Sequence, residues 1–295
     1  MLSFQPVTLS DRRWIHEILY HAGRPGCEYS FANLYFWTGR YGGVCRLGDF
    51  LCQESHYGAR RSYFFPAGRG DPGEALEALR RDAAAHGTPF ILRGITEKDK
   101  TVLEGLYPGH FRFCESRDAF DYVYPIEKLT ELKGKKLQAK RNHINRFLES
   151  HPDWYTIPIT AENLTDFAPL LSDWYDSHEG DALSAEHRAL EQAMTHFRTL
   201  EMDGLMLSDG EKIVAFSMGN RITEHTYDVN FEKAYADVQG AYPLINREFA
   251  RMVAEKYPAV QFLNREDDMG LDGLRKAKMS YYPDLLVKYK AYWED

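Results

Sequence analysis

The amino-acid sequence predicts an α/β (α+β) fold in two parts, and three observations support this. Apolar residues alternate between helical and strand-like spacing along the whole chain. The order of the predicted elements is similar in the two halves, although no residue-level repeat is present. The chain has 295 residues, of which 44% are hydrophobic and 14% aromatic, enough for two cores of ordinary domain size. We therefore expect domains at 1–132 and 151–295, joined by a helix at 133–150.

The first half begins with a helix that Asp11 can cap, because the apolar residues after it have helical spacing. A second helix is predicted at 72–86, where small and aliphatic residues form one stripe, and a third at 97–106. Strands are predicted at 43–47, 50–55, 62–66, 89–94 and within the Phe- and Tyr-rich segment 111–124.

The second half follows similar rules. A strand at 154–158 precedes two helices at 161–177 and 184–199. Then come three strands at 204–208, 213–222 and 225–232, followed by a helix at 241–256 with one apolar face. The chain ends with a strand at 259–264, a short helix at 271–279 and a strand at 284–292.

Charge and cysteine content limit the function classes. Lys and Arg number 36 against 44 Asp and Glu, a net charge of -8, so a protein that binds nucleic acid over its whole surface is excluded. No transmembrane segment or signal peptide is visible. The cysteines lack a C-x-x-C pair or a zinc ligand set, so we expect buried thiols, no metal and a cytoplasmic protein; they are Cys27, Cys45, Cys52 and Cys114.

A basic amphipathic helix is predicted at 133–148, where six Lys and Arg residues occur without any acidic residue. Its apolar face carries Leu137, Ile144 and Leu148. The basic face is either a solvated surface between domains or a binding surface for a polyanion such as tRNA. The candidate polyanion contacts are Lys136, Lys140, Arg141 and Arg146.

The strand at 225–232 is the most informative segment. A period of two places Tyr227, Val229 and Phe231 on one face. The other face carries Thr226, Asp228, Asn230 and Glu232. If the polar face lines a cleft, its carboxylates can bind an amine, orient a hydroxyl or act as a base. The alternative is an antiparallel strand with one solvated face.

Two later segments add polar groups at expected strand and helix ends, where ligands of α/β proteins tend to bind. Gly240 precedes the helix that carries Tyr242 and Asn246, and a glycine there allows close approach to the helix amides. The strand at 259–264 ends in NREDD, and the next helix places Arg275 and Lys278 on one face. We expect these groups to converge, the alternative for NREDD being a solvated turn.

Two other motifs favour structural interpretations. GRGDPG at 68–73 has the glycine spacing of a dinucleotide loop, but Asp71 is placed to cap the following helix and Pro72 removes an amide donor. A turn with a helix cap is therefore favoured over a nucleotide site. His178–Glu179 lacks the second histidine of a zinc helix.

Three segments together show a resemblance to a known family. They are GKKLQAKRNHINRF, TYDVNFEKAYADVQGAYPLINREFA and NREDDMGLDGLRKAKMSYYPDLLVKYKA. These resemble the C-terminal domain of bacterial phosphatidylglycerol lysyltransferases in its stand-alone form, and YSFANLYFW is similar to the N-terminal region of that form. The resemblance implies two tandem GNAT-type domains with mixed sheets, related to the Fem aminoacyltransferases.

The resemblance also implies a site in the second domain. Family enzymes move an aminoacyl group from tRNA to a lipid hydroxyl, so the donor is expected to be aminoacyl-tRNA or, less in keeping with the family, acyl-CoA. The acceptor is expected to be a small molecule or a lipid headgroup. The corresponding residues here are Asp228, Asn230, Glu232, Lys233, Gly240, Tyr242, Asn246, Asn264, Arg265, Glu266, Asp268, Arg275 and Lys278.

The leading hypothesis is therefore an acyl- or aminoacyltransferase that acts on an amine or a hydroxyl. Asp228 or Glu232 is expected to orient or deprotonate the acceptor, and Arg265, with Lys278, to stabilise the developing oxyanion or a donor phosphate. Two alternatives remain: a GNAT-fold module that binds a ligand or a protein without catalysis, and a CoA-dependent N-acetyltransferase. The coenzyme A signature of GNAT enzymes is not cleanly present, although VQGAY offers a Gln and a Gly.

Overall fold

A computed structural model describes residues 1–57, 60–176 and 181–294. The chain forms two compact units. Unit 1 comprises Met1–Tyr122, Glu266–Lys278 and Asp284–Asp295, and unit 2 comprises Val123–Arg265 and Met279–Pro283. The units differ from the continuous domains expected from the sequence, because C-terminal segments belong to the same unit as the N-terminal residues.

The helices in chain order are α1 (Arg12–Ala22), α2 (Phe31–Tyr41), α3 (Gly73–Ala85), α4 (Glu97–Leu106), α5 (Ile126–Glu131), α6 (Gln138–Ser150), α7 (Ala168–Asp176), α8 (Asp181–Thr195), α9 (Ala241–Lys256) and α10 (Asp272–Met279). Short 3-10 helices lie at Leu9–Asp11, Cys27–Tyr29, Arg117–Ala119 and Lys135–Leu137.

The strands are β1 (Gly42–Leu47), β2 (Phe50–Tyr57), β3 (Arg60–Phe64), β4 (Ala67–Gly68), β5 (Ile91–Ile95), β6 (Phe111–Glu115), β7 (Asp121–Pro125), β8 (Tyr155–Pro158), β9 (Asp203–Ser208), β10 (Ile213–Arg221), β11 (Thr226–Ala234), β12 (Phe262–Asn264), β13 (Asp284–Leu286) and β14 (Tyr289–Trp293). Most of the predicted elements are present, with ends that differ by a few residues. The helix expected at 161–177 begins only at Ala168, and the strand expected at 284–292 is divided into β13 and β14.

Unit 1 is built on a mixed sheet with the order β1-β2-β3-β5-β14-β6, in which β4 also pairs with β2. Strands β3 and β5 are parallel, and β14 is antiparallel to both β5 and β6. The last strand of the chain therefore completes the first sheet. Its core includes Tyr63, Leu76 and Leu92, each fully buried.

Helix α2 has no counterpart among the elements predicted from the sequence. It is rich in aromatic residues, which are weak helix formers, and it buries residues around most of its circumference, so no clear polar face marks it. Its start is fixed by Ser30, whose hydroxyl accepts a hydrogen bond from the Asn33 amide at 3.0 Å.

The GRGDPG segment is a turn at the start of α3, as the sequence favours. The Asp71 carboxylate accepts a hydrogen bond from the Gly73 amide at 2.9 Å, so it occupies a donor that a phosphate would need. The helix begins at Gly73, one residue later than expected, and Pro72 is its N-cap.

Unit 2 contains a second mixed sheet, in which the strand order includes β7-β12-β11-β10-β9-β8. Strands β11 and β12 are parallel but pair over three residues only, 226–228 with 262–264. Phe216 on β10 stacks on Phe167 just before α7, and Tyr227 on β11 packs against Phe249 of α9, so the two faces of the sheet are covered by different helices.

Gly240 allows α6 and α9 to pack closely. Its φ of +93° is in the left-handed region, and a Cβ placed there would lie 2.3 Å from the carbonyl oxygen of His143 and 2.8 Å from the Cβ of Phe147. The close approach that the glycine permits is thus occupied by the backbone of α6.

We expect Gly240→Ala to destabilise unit 2 strongly, because the methyl group meets backbone and the positive φ is unfavourable. Gly23→Ala is the matched control, since Gly23 has a φ of +58° with nothing within 4 Å of the added Cβ. The control should cost about 1–2 kcal/mol, and Gly240→Ala should cost more. Urea unfolding measures both, and equal losses would contradict the packing role.

Candidate active site

A β-bulge in β11 decides where its polar side chains point. The pairing with β10 runs from Ser217 opposite Glu232 to Met218 opposite Phe231, and then continues with Gly219 opposite Val229. Asn230 is therefore an extra residue without a partner position on β10. Such an insertion exchanges the faces of the residues on its two sides.

The sequence-based prediction that Asp228 and Glu232 project in one direction is therefore wrong. Glu232 lies on the same face as Tyr227, which contacts α9, and it bonds to Asn246 of α9. Asp228 neighbours Tyr227 in the strand and so lies on the opposite face. The alternative of a solvated face is also wrong, because Asp228 is 0% exposed.

A buried ion pair forms the centre of the candidate site in unit 2. Glu232 Oε1 accepts a hydrogen bond from Arg265 Nη2 at 2.6 Å, and the two side chains are 9% and 13% exposed. The second carboxylate oxygen accepts a hydrogen bond from Asn246 Nδ2 at 3.2 Å. Burial is the largest single effect and opposes the charge of the guanidinium, but the Glu232 carboxylate and the neighbouring tyrosines together outweigh it and raise the pKa of Arg265.

Lys140 and Tyr281 form one wall around this pair. The Lys140 ammonium lies 4.0 Å from the centroid of the Tyr281 ring, and the Arg265 guanidinium lies 5.5 Å from it. Burial, together with the nearby Arg265 charge, lowers the pKa of Lys140. Two cationic groups therefore share a partly desolvated region with one carboxylate, an arrangement suited to stabilising negative charge on a substrate.

Asp228, Asn230 and Asn264 form a separate polar group on the other face of the sheet. Asn264 stands opposite Asp228 in the parallel pairing of β12 with β11. Asn230 Nδ2 donates to Asp228 Oδ2 at 3.2 Å, and both Asp228 and Asn264 are 0% exposed. Their burial suits them to fix the strands rather than to meet a substrate.

Lys233 and Tyr242 belong to a second cluster, with α7 and α8. The Lys233 ammonium bonds both oxygens of Glu186 at 2.9 Å and lies 3.5 Å from the centroid of the Trp174 ring. Burial lowers the pKa of Lys233 despite the compensating Glu186 carboxylate. Trp174 Nε1 also donates to the Tyr242 hydroxyl at 3.4 Å, which places Tyr242 at the edge of this cluster.

The start of α9 offers few amide donors for a phosphate. The Ala241 amide already donates to the Val238 carbonyl at 3.2 Å, and Pro243 has no N–H. Since coenzyme A binding at a helix N-terminus uses such amides, this geometry disfavours the N-acetyltransferase alternative.

The remaining predicted residues belong to unit 1. Arg275 Nε bonds Asp268 at 2.9 Å and its Nη2 bonds Asp118 at 2.7 Å. Burial alone would raise the pKa of Asp268, but hydrogen bonds from Arg275 and Tyr122 outweigh it and hold that pKa well below its usual range. NREDD is thus a charged segment of buried and half-buried side chains and not a solvated turn.

Glu266 and Lys278 also have partners within unit 1. Glu266 Oε1 accepts a hydrogen bond from Asn33 Nδ2 at 3.0 Å, and Lys278 donates to the backbone carbonyl of Asp267. Burial raises the pKa of Glu266 to about 7 and that of Asp267 to about 6.

The cysteine expectations need correction in part. All four thiols are free, but only Cys52 is fully buried. Cys27 has metal-capable neighbours that the sequence does not reveal, since ligand atoms of Cys27, Glu28 and Asp121 lie within 4.8 Å of one another. The Lys288 ammonium bonds Glu28 and Asp121, each at 2.6 Å, so a cation already occupies that position. His178 and Glu179 lie outside the described residues.

The cations of the basic helix differ in their surroundings, since some contact other parts of unit 2 and others are exposed to solvent. Arg141 donates to the carbonyls of Leu132 and Gly134 and so holds the preceding loop. Lys140 faces the candidate site, whereas Lys136 and Arg146 are exposed. The spacing of Lys140 with the buried Ile144 and Phe147, four and seven residues later, is a signal that it lies on the inner face.

Sequence reasoning also missed Tyr281 and Glu186 as partners in these clusters. Tyr281 is in a short connection without periodicity, and Glu186 is one acidic residue among several on α8. Only the tertiary contacts identify them.

Comparisons with known proteins agree with this architecture. Residues 21–292 match the family described as phosphatidylglycerol lysyltransferase, C-terminal. A crystal structure of a conserved protein of unknown function from Bacteroides thetaiotaomicron is 38% identical, covers 100% of both chains and has a TM-score of 0.91. The chain is also 24% identical over 173 residues to an uncharacterised protein of Mycoplasmoides gallisepticum, a match that covers 57% of this chain and 54% of that relative.

More distant structures show the fold. L-PGS from Bacillus licheniformis is 16% identical with a TM-score of 0.70, over 100% of this chain and 94% of that chain. A tandem GNAT protein from the clavulanic acid biosynthesis pathway is 12% identical with a TM-score of 0.50, over 100% and 99%. The predicted tandem GNAT-like fold with mixed sheets is confirmed. None of the helices within the described ranges has the length and apolar character needed to cross a bilayer.

The raised pKa of Glu266 predicts a pH-dependent stability. Between its ordinary pKa of 4.5 and about 7, the unfolded chain ionises this group while the folded chain keeps it protonated. Stability should therefore fall as pH rises through that window. In Glu266→Gln, the decrease in unfolding free energy between pH 4.5 and pH 8 should be smaller by up to about 3 kcal/mol. Urea unfolding at the two pH values measures this decrease.

Asp267→Asn is the comparison variant. Its effect on the pH dependence of stability should be confined to lower pH, because the raised pKa of Asp267 is about 6. A constant difference in unfolding free energy between Glu266→Gln and the unmodified protein at both pH values would contradict the assignment.

Proposed function

The chain belongs to the phosphatidylglycerol lysyltransferase C-terminal family, and on that premise we propose that unit 2 transfers an aminoacyl or related acyl group to a hydroxyl or an amine. The family and the fold are those of acyl- and aminoacyltransferases. The donor we propose is aminoacyl-tRNA, and the acceptor a lipid headgroup or a small molecule.

The observation that carries this proposal is the buried Glu232–Arg265 pair with Lys140 beside it. In acyl transfer the attacking atom bonds to the ester carbonyl carbon, and negative charge develops on the carbonyl oxygen. The ester's alcohol oxygen then leaves with the proton that the acceptor loses. We assign the stabilisation of that oxygen to Arg265 and Lys140, since both cations lie in a partly desolvated region.

Glu232 is the carboxylate that we propose orients the acceptor and holds Arg265. Its two oxygens are engaged by Arg265 and Asn246, which fixes their direction. Asp228 is 0% exposed, so we assign it to positioning Asn230. The Lys278 ammonium bonds the Asp267 carbonyl in unit 1. We therefore assign the second cationic role, which the sequence suggested for Lys278, to Lys140.

Arg265→Ala should lower single-turnover transfer at least tenfold, because it removes about 1.4 kcal/mol or more of transition-state stabilisation. Since Arg265→Ala also leaves Glu232 unpaired, which can cost 3–5 kcal/mol of stability, Arg265→Lys is measured in parallel. Lysyl-tRNA and phosphatidylglycerol are the first substrates to test, with thermal unfolding to confirm folding.

Arg247→Lys is the matched control, since Arg247 pairs with Glu248 at 2.7 Å with side chains 15% and 16% exposed. Arg247 belongs to the same unit as Arg265 and is also a mostly buried arginine paired with a glutamate, but it lies outside the candidate site. Transfer that is unchanged in Arg265→Ala, or reduced equally by Arg247→Lys, would remove Arg265 from the mechanism.

Binding of tRNA should depend steeply on salt if unit 2 contacts the phosphate backbone. Lys136 and Arg146 are exposed cations of the basic helix, so changing each to Gln should reduce the slope of log affinity against log salt by about 1. Fluorescence titration of tRNA between low and moderate salt measures this slope.

Lys212→Gln is the control for this experiment, because Lys212 is an exposed cation on a different part of unit 2, next to Tyr235. Salt-insensitive binding, or equal effects of Lys212→Gln and Lys136→Gln, would exclude the basic helix as the tRNA surface.

A further inference from the structure

Two buried polar atoms near the Glu232–Arg265 pair have no hydrogen-bond partner among the described residues. They are Ser217 Oγ and Asn246 Oδ1, on residues that are 0% and 3% exposed. Buried polar groups are nearly always hydrogen-bonded, so such atoms require an explanation.

Both atoms lie on the face of the sheet that carries Glu232. Ser217 stands directly opposite Glu232 in the pairing of β10 with β11, and residues opposite each other share a face. Asn246 uses its Nδ2 to donate to Glu232 Oε2 at 3.2 Å. Its Oδ1 is therefore left as an acceptor beside the same carboxylate.

The three groups have a common chemical preference. The Glu232 carboxylate and the Asn246 amide oxygen can only accept hydrogen bonds, and the Ser217 hydroxyl can accept one. Ser217 is opposite Glu232 in the strand pairing and Asn246 is bonded to it, and such a set of neighbouring acceptors suits a group that donates several N–H bonds. We infer that Ser217 and Asn246, together with Glu232, form a subsite for the primary amine of a substrate.

This inference rests on the proposed function, because it concerns the same site. The neighbouring cations complement it, since Arg265 and Lys140 are suited to a carbonyl oxygen and the three acceptors to an amine. Such an amine could belong to the donor, as the amino group beside an aminoacyl carbonyl, or to an amine acceptor.

Calorimetric titration of the full chain with three probes tests the subsite and separates the two sources. Alaninamide carries an amine next to a carbonyl, N-acetylalaninamide has the same carbonyl with the amine blocked, and propylamine has only the amine. We expect alaninamide to bind at least tenfold more tightly than N-acetylalaninamide. Tighter binding of alaninamide than of propylamine indicates the donor, and equal binding of these two indicates the acceptor.

Ser217→Ala should weaken alaninamide binding about fivefold through loss of one hydrogen bond, without lowering the urea midpoint, because the hydroxyl has no hydrogen-bond partner in the described part of the chain. Ser208→Ala is the matched control. Ser208 is 1% exposed on β9, and its hydroxyl accepts a hydrogen bond from the Gly210 amide at 3.1 Å, so this change should lower stability and leave amine binding intact.

Equal affinity for the amine and blocked-amine probes, no binding of either amine to the unmodified protein, or unchanged binding in Ser217→Ala would each overturn the subsite. Water alone in that position would give the last result. Transfer activity without amine-dependent binding would reject the subsite and keep the proposed function. Amine-dependent binding without transfer activity would keep the subsite and reject the proposed function.

Discussion

A buried carboxylate and a buried guanidinium must remain together, because separating them leaves a charge unpaired in a region of low dielectric. In unit 2 that constraint connects Glu232 on β11 with Arg265 immediately after β12. The two strands pair over three residues only, so the ion pair holds them where their backbone hydrogen bonds no longer do. Asn246 and Lys140 are positioned around this pair, one on α9 and the other on α6.

The bulge at Asn230 makes this arrangement possible. Without an extra residue, Asp228 and Glu232 would occupy one face of the sheet, and two carboxylates would compete for the same cations. With it, Glu232 meets Arg265 on the α9 face while Asp228 is enclosed with Asn264 on the other. One inserted residue thus separates a carboxylate that is available to the site from one that is confined to structure.

Local charge in this protein differs from its overall charge. The chain is acidic overall, yet Lys140 and Arg265 outnumber the single carboxylate at the centre of the candidate site. Unit 1 has the opposite situation, where buried carboxylates gather around Lys288 and the pKa values of Glu266 and Asp267 are raised. Net charge excludes a whole-surface nucleic-acid binder but says little about either cluster.

The sequence by itself determined the fold class, most elements, the turn at Asp71 and the family, because these depend on local periodicity, turn chemistry and motifs. It also predicted Glu232 and Arg265 as site residues, and the structure pairs these two side chains. Only the tertiary structure decided which face each residue occupies, since a bulge is a property of strand pairing and leaves no periodic signal in one strand. For the same reason, the return of β14 to the first sheet, the inward position of Lys140 and the orphaned Ser217 hydroxyl depend on contacts between residues distant in the chain.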